Sequence, residues 1–406
     1  QPSVPARPPT GTAGVEPAAP PPAPSPPAPA EAVDRTSLAG AAPGASQEIP
    51  LPGNLLPRLD VYFPEGDLDL RVSRLLNKVF FEGQVKYNFV SGNITAFLRY
   101  RYYGYSRTTQ LAVFDAISFS RVQNIANSDF DRTRGALLFL EWPHSFNVRS
   151  FLLTEVDRIS SNRREEARVL NSTTNTFVRV GYQVGSPGDS RSEAIIGETR
   201  AITPTLFTAV REIGPGDVGF TGALTYGTKL LGDYHYLKLE LEALKRFDLT
   251  SESFFVGRVH GGSFLYAKKA RPEAVLIEDR YSIPLAEFLN LGGRDNLKGV
   301  SSRLDGTEEL HTTWELFTPW FIGDERKLLY ASWQNWYWVL YAGVGSLGFG
   351  GRAYTDLHSY VPDAGFGFES SMRLGKYRFF VSGILAHALK GGYGGVAARF
   401  SVKSYR

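Results

Sequence analysis

One glycine-rich segment has the letter pattern of a phosphate-binding loop. Gly343-Val344-Gly345-Ser346-Leu347-Gly348 matches a dinucleotide fingerprint. That pattern binds phosphate only when a helix follows it directly, because the anion is held by N–H groups at the helix N-terminus. Here Phe349-Gly350-Gly351-Arg352 follows, which predicts a loop. We therefore predict no nucleotide binding.

The remaining residue types suited to chemistry are not spaced for it. The chain has no cysteine, which excludes thiolate metal sites and disulfides. Its histidines match no familiar metal-ligand spacing. His311 and Glu315 would share one face of a strand, but no serine elbow or partner acid accompanies them. We predict no catalytic residue, no metal site, no cofactor and no enzymatic activity. The six histidines are His144, His235, His260, His311, His358 and His387.

Charged residues recur at every second position in several segments. Such residues either line a selective pore or form an ion-pair network that fills a hydrated interior. The clearest examples are Arg99, Arg101, Lys238, Glu240 and Glu242. Both interpretations require an element with one polar face.

That element is a β-strand, because successive side chains of a strand point to opposite faces. From Val218 to Gly227, one face carries Val218, Phe220, Leu224 and Tyr226, and the other is small or polar. About ten residues per segment, repeated with turns between, is typical of a barrel with lipid outside and water inside. From Asp67 we count about sixteen such strands. They lie near 67–72, 84–89, 94–102, 110–119, 134–142, 146–157, 174–184, 199–211, 216–228, 237–243, 253–263, 307–317, 334–345, 363–374, 376–389 and 392–400.

The predicted fold class is therefore all-β, a transmembrane antiparallel barrel. A soluble β-sandwich is the alternative, since its inner face is also apolar. Charges on the polar face and tryptophans near segment ends favour the membrane. Residues 67–81 remain ambiguous, because Leu75 to Phe81 could continue as a short amphipathic helix. The tryptophans concerned are Trp314, Trp320, Trp333, Trp336 and Trp338.

Composition limits the partners and the location. The net charge of +3 gives no reason to predict a nucleic-acid partner. The sequence contains no run of about 18 apolar residues, so it predicts no transmembrane helix. The chain begins at Gln1, which we interpret as a mature form after loss of a secretion signal, although a truncated sequence would look the same. Residues 1–55, rich in proline and alanine, predict a disordered periplasmic arm, either a tether or a plain tail. Residues 56–406 would form the barrel.

One connection is too long for a simple hairpin. About 40 residues separate Tyr266 from Thr307, and they contain Phe288-Leu289-Asn290-Leu291-Gly292-Gly293-Arg294-Asp295-Asn296-Leu297-Lys298-Gly299-Val300. This segment resembles the sixth extracellular loop of the BamA/TamA and two-partner-secretion superfamily, the bacterial surface-antigen family. Glu315-Leu316-Phe317-Thr318-Pro319 resembles the Glu-Leu-x-x-Pro strand of that family. The resemblance covers roughly Pro284 to Phe400.

The resemblance implies that the loop folds into the lumen and is held there. Its motif residues are Gly292, Gly293, Leu297, Lys298 and Gly299. In the family the basic residue is an arginine that pairs with an aspartate of an Asp-Ala-Gly string. Here it is Lys298, and we match the string to Tyr341-Ala342-Gly343, so that a tyrosine replaces the acid. We expect Lys298 to lie over the Tyr341 ring or against Glu369, with Glu315 a third partner. The alternative is a solvated Lys298.

The last strand resembles the terminal β-signal of outer-membrane proteins. The matching residues are Tyr393, Gly395, Ala398 and Phe400, although Ser401 to Arg406 extend beyond them.

The resemblance also implies a function. It predicts an outer-membrane barrel for protein translocation or membrane assembly, in contact with the lipid bilayer. Family members that insert or secrete proteins carry periplasmic POTRA domains, whereas residues 1–66 are too short and proline-rich for one. We therefore expect separate periplasmic or outer-membrane protein partners. A structural barrel that anchors a partner complex and a passive pore remain alternatives.

Overall fold

A computed structural model supplies the structure of the chain. It describes residues 58–63, 67–76, 78–88, 93–104, 106–119, 130–145, 148–162, 173–185, 218–267, 283–284, 287–292, 297–300, 304–322, 326–328, 331–349, 352–374, 377–393 and 396–405. The predicted arm 1–55 and the predicted strand 199–211 lie outside these residues. None of the described helices is long and apolar enough to cross a membrane.

The described residues are almost entirely β-strand. Sixteen strands form the wall: β1 Arg58–Phe63, β2 Asp67–Leu76, β3 Val79–Asn88, β4 Asn93–Tyr103, β5 Thr108–Phe119, β6 Phe130–Ser145, β7 Val148–Asn162, β8 Thr173–Val184, β9 Val218–Gly227, β10 Tyr236–Asp248, β11 Phe254–Ala267, β14 Glu308–Phe321, β16 Ala331–Gly348, β17 Val361–Leu374, β18 Tyr377–Ala388 and β19 Val396–Tyr405. Three short strands belong to connections: β12 Leu289–Leu291, β13 Leu304–Gly306 and β15 Arg326–Leu328. Helix α1 spans Arg352–Thr355, and a single 3₁₀ turn spans Leu357–Ser359.

The sixteen wall strands pair antiparallel in a complete ring. Each pairs with its neighbours along the chain, and β14 passes directly to β16. β1 closes the ring, because Val61 lies opposite Leu68 of β2 and also opposite Val402 of β19. Each of the sixteen described wall strands therefore has a paired strand on both sides, as a sheet that spans a membrane requires. The predicted antiparallel barrel is confirmed.

The strands near the N-terminus differ from the prediction. β1 precedes Asp67 and was not expected, since only six residues alternate there. The ambiguous stretch 67–81 forms strands, with β2 ending at Leu76 and β3 starting at Val79. Helix is excluded for the described part of this stretch because each residue from Asp67 to Leu76 has a partner on β3.

Side-chain exposure follows the strict alternation of the strands. On β9, Phe220 and Tyr226 are exposed, whereas Thr221 and Thr225 are fully buried. On β10, Lys238 and Glu242 are buried, whereas Leu241 is exposed. On these two strands, charged or polar groups lie inside and large apolar groups lie outside, which reverses the order of a soluble sandwich. Lipid is the solvent that this surface matches.

The lipid-facing surface leads to a first prediction, at Leu98 in the middle of β4. This side chain is 58% exposed. Leu98→Arg should lower the free energy of unfolding by about 2 to 4 kcal/mol, because an arginine at the bilayer midplane loses its hydration. The measurement is denaturant unfolding of the barrel in phospholipid vesicles. Leu230→Arg is the matched control, since Leu230 is 89% exposed in the connection between β9 and β10. Equal stability of the two variants would contradict a lipid-facing Leu98.

Candidate functional site: the lumenal loop

The connection between β11 and β14 folds back into the barrel. Its strands β12 and β13 pair with each other, with Leu289 opposite Gly306 and Leu291 opposite Leu304. All of its described apolar side chains from Ile283 to Val300 are buried. Phe288 belongs to a buried cluster that includes side chains from the inner faces of β4 to β10, and Leu297 belongs to a second cluster that includes Val361 of β17. The described residues thus form the predicted loop in the lumen, named the lumenal loop below.

Lys298 anchors the loop to β14 and β16. Its ammonium forms a short, buried ion pair with Glu315, and it lies 4.4 Å from the centroid of the Tyr341 ring. A cation over an aromatic face gains electrostatic energy that increases when water is excluded. Burial of Lys298 in this loop lowers the pKa of its ammonium, because the charged form loses its hydration. The neighbouring Glu315 carboxylate opposes that shift. Two of the three expected partners therefore meet Lys298 directly.

An aspartate lies beside Tyr341 on the next strand, in a string that the match to Tyr341-Ala342-Gly343 overlooked. The string Asp363-Ala364-Gly365 occurs on β17, where Asp363 is the register partner of Gly343. The Tyr341 hydroxyl donates to both Asp363 oxygens at 3.0 and 3.1 Å. The three letters Asp-Ala-Gly in the sequence could have identified this aspartate.

Asp363 holds the loop through backbone groups. The Gly299 N–H donates to Asp363 Oδ2 at 2.8 Å, and the Lys298 N–H donates to the Tyr341 hydroxyl at 3.3 Å. The lysine side chain turns instead to Glu315. Its point charge has no planar fork for bidentate pairing with one carboxylate, so the charge and the backbone of Lys298 use different acids. These five residues, Lys298, Gly299, Glu315, Tyr341 and Asp363, are named the loop anchor.

Two motif glycines are required by geometry. Gly292 has φ +90°, a backbone conformation that disfavours side chains. A Cβ at Gly299 would lie 2.4 Å from the His387 carbonyl carbon and 2.6 Å from the Ala388 nitrogen, both backbone atoms of β18. Only glycine lets the loop lie directly against the wall at this point. Leu297 is fully buried, and Gly293 lies outside the described residues.

The last strand also contacts the loop. Arg399 of β19 donates from Nε to the Lys298 carbonyl at 3.2 Å and from a terminal nitrogen to the Val300 carbonyl at 3.3 Å. The loop anchor is therefore continuous with the strand that pairs with β1.

A second attachment lies on the opposite part of the wall. The Glu287 carboxylate is 3.1 Å from Arg179 of β8 and 2.9 Å from Lys238 of β10, with all three side chains buried. Lys238 also donates to the Glu287 carbonyl at 3.1 Å. Sequence reasoning missed this cluster, because residues so distant in the chain meet only across the lumen.

The other residues singled out in the sequence take less direct positions. Glu369 is buried farther along β17, opposite Tyr337 and Ser382 rather than in the row of Asp363. Tyr393 lies in the turn before β19, Gly395 is outside the described residues, and Ala398 and Phe400 lie on β19. The strand continues to Tyr405, beyond the end of the expected β-signal.

The charged lumen residues and the glycine pattern have structural explanations. Arg99 pairs with Glu82 at 3.7 Å, and Lys238 with Glu240 at 3.1 Å. Arg101 donates to Gln110 at 2.8 Å. These contacts favour the interpretation of a network that fills the interior. Residues 343–348 are part of strand β16, so no helix follows these glycines to hold a phosphate. Gly343 and Gly345 instead leave space for loop side chains such as Leu297.

The structure resembles known barrels, although the sequence matches none. No family model and no curated protein matches the chain. Among solved structures it is similar to BamA from Haemophilus ducreyi lacking POTRA domains 1–3, with a TM-score of 0.60 and 11% identity over 86% of this chain and 69% of that one.

Two CdiB proteins show a similar likeness. CdiB from Escherichia coli gives a TM-score of 0.56 at 12% identity, and CdiB from Acinetobacter baumannii gives 0.55 at 11%. Each match covers 86% of this chain, which spans 62% and 60% of those two proteins.

Proposed function

We propose that this chain, which has the β-barrel fold of BamA and CdiB, acts in the bacterial outer membrane in protein translocation or membrane-protein assembly. Its substrate would pass or insert at the seam between β1 and β19. The lumenal loop would hold the last strand in place until the seam opens. Separate periplasmic or outer-membrane partners would capture the client protein.

The shortness of the seam carries this proposal. Only Asp60 to Phe63 of β1 pair with β19, over four residue pairs. By contrast, β18 and β19 are paired over ten, and β2 and β3 also over ten. Each backbone group left unpaired in hydrocarbon costs several kcal/mol, so opening a ring costs least where the fewest pairs are lost. Within the described residues, that place is the seam formed by β1.

The loop anchor supports the same proposal. Arg399 connects the seam strand to Lys298 and Val300, and Gly299 lies against β18. Movement of β19 away from β1 must therefore either carry the loop or break these hydrogen bonds. This arrangement provides a physical coupling between seam opening and loop position.

The attachments of the lumenal loop favour this function over a passive pore. A diffusion pore needs an open aqueous path, whereas the lumenal loop is attached to β8 and β10 at one end and to β14 and β17 at the other. In planar bilayers we expect low and intermittent conductance. Large steady currents would favour the pore.

A disulfide across the seam tests the proposal. Val61 and Val402 are register partners, and the Cα atoms of opposite residues lie about 4.5 to 5.5 Å apart, within reach of a disulfide. The chain has no cysteine of its own. We expect the oxidised Val61→Cys/Val402→Cys barrel to lose its ability to replace the depleted wild-type protein, and a reductant to restore it.

The matched control joins two strands that need not separate. Leu98→Cys/Val113→Cys links β4 to β5 at register partners and should leave function unchanged. The readout is a census of outer-membrane proteins after depletion. Loss of many barrels would support an assembly factor, and loss of a single partner would support a scaffold. Full activity of the oxidised seam variant would refute lateral opening.

A further inference from the structure

Two histidines far apart in the sequence face each other inside the barrel. His260 of β11 and His311 of β14 are direct register partners, with ring centroids 5.1 Å apart. Their side chains are 6% and 1% exposed. Antiparallel pairing produces this arrangement, which explains why sequence spacing revealed no metal pattern.

A carboxylate completes the cluster. Glu309 lies two residues before His311, on the same inward face of β14. Its two oxygens are 2.6 Å from His311 Nδ1 and 3.7 Å from His260 Nδ1. The ligand atoms of the three residues all lie within 4.8 Å of one another. His260 Nδ1 is buried without a hydrogen bond among the described residues.

We propose that His260, Glu309 and His311 form a binding site for a divalent transition-metal ion of the Zn²⁺ class. Imidazole nitrogens and carboxylate oxygens are preferred zinc ligands, at about 2.0 to 2.2 Å from the ion. In a tetrahedral site such ligands lie about 3.3 to 3.5 Å apart. The separations in the cluster fall on both sides of that range, so small side-chain rotations suffice. Three protein ligands leave one position open for water.

The surroundings favour a cation. Glu242 of β10 is the register partner of His260 and is buried on the same inner face. Its Oε1 lies 3.6 Å from Arg258 Nε. With neutral histidines, Glu309 gives the cluster a negative charge. A divalent ion balances that charge in a site from which bulk water is largely excluded.

The site lies directly beneath the lumenal loop. Gly345 of β16 is the register partner of His311. A Cβ at Gly345 would lie 2.6 Å from Leu291 Cδ1 and 3.1 Å from Leu297 Cδ1, and 2.8 Å from His311 Cβ. A bound ion would therefore join β11 to β14 below the loop and stiffen the strands that receive it.

Metal binding to the full-length barrel in detergent tests this inference. The protein is stripped with a chelator and titrated with Zn²⁺, and Co²⁺ absorption reports the geometry. We expect one equivalent to bind and to raise the thermal unfolding midpoint. Loss of a residue that only hydrogen-bonds to a metal ligand weakens metal binding about 10- to 100-fold, so loss of two ligands in His260→Ala/His311→Ala should weaken it by more than about 100-fold.

The controls separate ligation from folding. His144→Ala/His358→Ala removes two exposed histidines and should bind zinc as the wild type does. Glu309→Gln keeps the shape of the side chain and should also weaken binding, while heat-dependent gel mobility reports an intact barrel. Unchanged zinc affinity in Glu309→Gln, or no stoichiometric binding by the wild type, would overturn the proposal and leave the three residues as a packed ion-pair cluster. Neither result depends on seam opening.

Discussion

Lys298→Ala is expected to lower the free energy of unfolding of the barrel by about 3 to 5 kcal/mol and to release the lumenal loop. The substitution leaves the Glu315 carboxylate buried without the ammonium that balances it, and breaking a buried ion pair costs about that much. It also removes the contact with the Tyr341 ring. Hydrogen exchange should show earlier opening of the Lys298 and Gly299 amides, which the wild type holds on Tyr341 and Asp363.

Two further variants make the result specific. Lys327→Ala removes an exposed lysine of β15 and should change stability by less than about 0.5 kcal/mol. The double variant Lys298→Ala/Glu315→Ala should cost less than the sum of the single variants, because the second change removes the stranded carboxylate. Additive losses and wild-type exchange rates would mean that Lys298 is merely solvated in the lumen.

Glu287→Ala should also lower the free energy of unfolding by about 3 to 5 kcal/mol. In this variant the charges that lose their partner are positive rather than negative. It removes the Glu287 carboxylate from the Arg179 guanidinium and from the Lys238 ammonium, both of them buried in the wall. Lys238 retains Glu240 at 3.1 Å, and Arg179 retains its hydrogen bond to the Thr225 hydroxyl at 2.7 Å. Denaturant unfolding in vesicles measures the loss, and hydrogen exchange of residues 287–292 locates it.

The Glu287 result has its own comparison. Glu252→Ala removes an exposed carboxylate in the turn between β10 and β11 and should be nearly neutral. Arg179→Ala together with Glu287→Ala should recover part of the stability lost in Glu287→Ala alone. If Glu287→Ala is as stable as Glu252→Ala, the loop is held by the loop anchor alone, and the attachment to β8 and β10 contributes nothing to the stability of the barrel.

The sequence alone determined most of the strands other than β1, their two faces and the position of the loop. Alternation with a period of two is a property of the extended backbone, so Phe220 and Thr221 reveal their faces without knowledge of any partner. The long segment between β11 and β14 stands out for a similarly local reason, because hairpin connections are normally short.

Only the tertiary structure decided which side chains meet. Of the three partners expected for Lys298, the fold brings Glu315 and the Tyr341 ring to it, and it places His260 opposite His311. These contacts depend on strand register and on the closure of the ring through β1, and the chain segments involved are far apart in sequence. Alternation specifies the face on which a residue lies, but the register specifies its neighbour, and the register is set by the whole barrel.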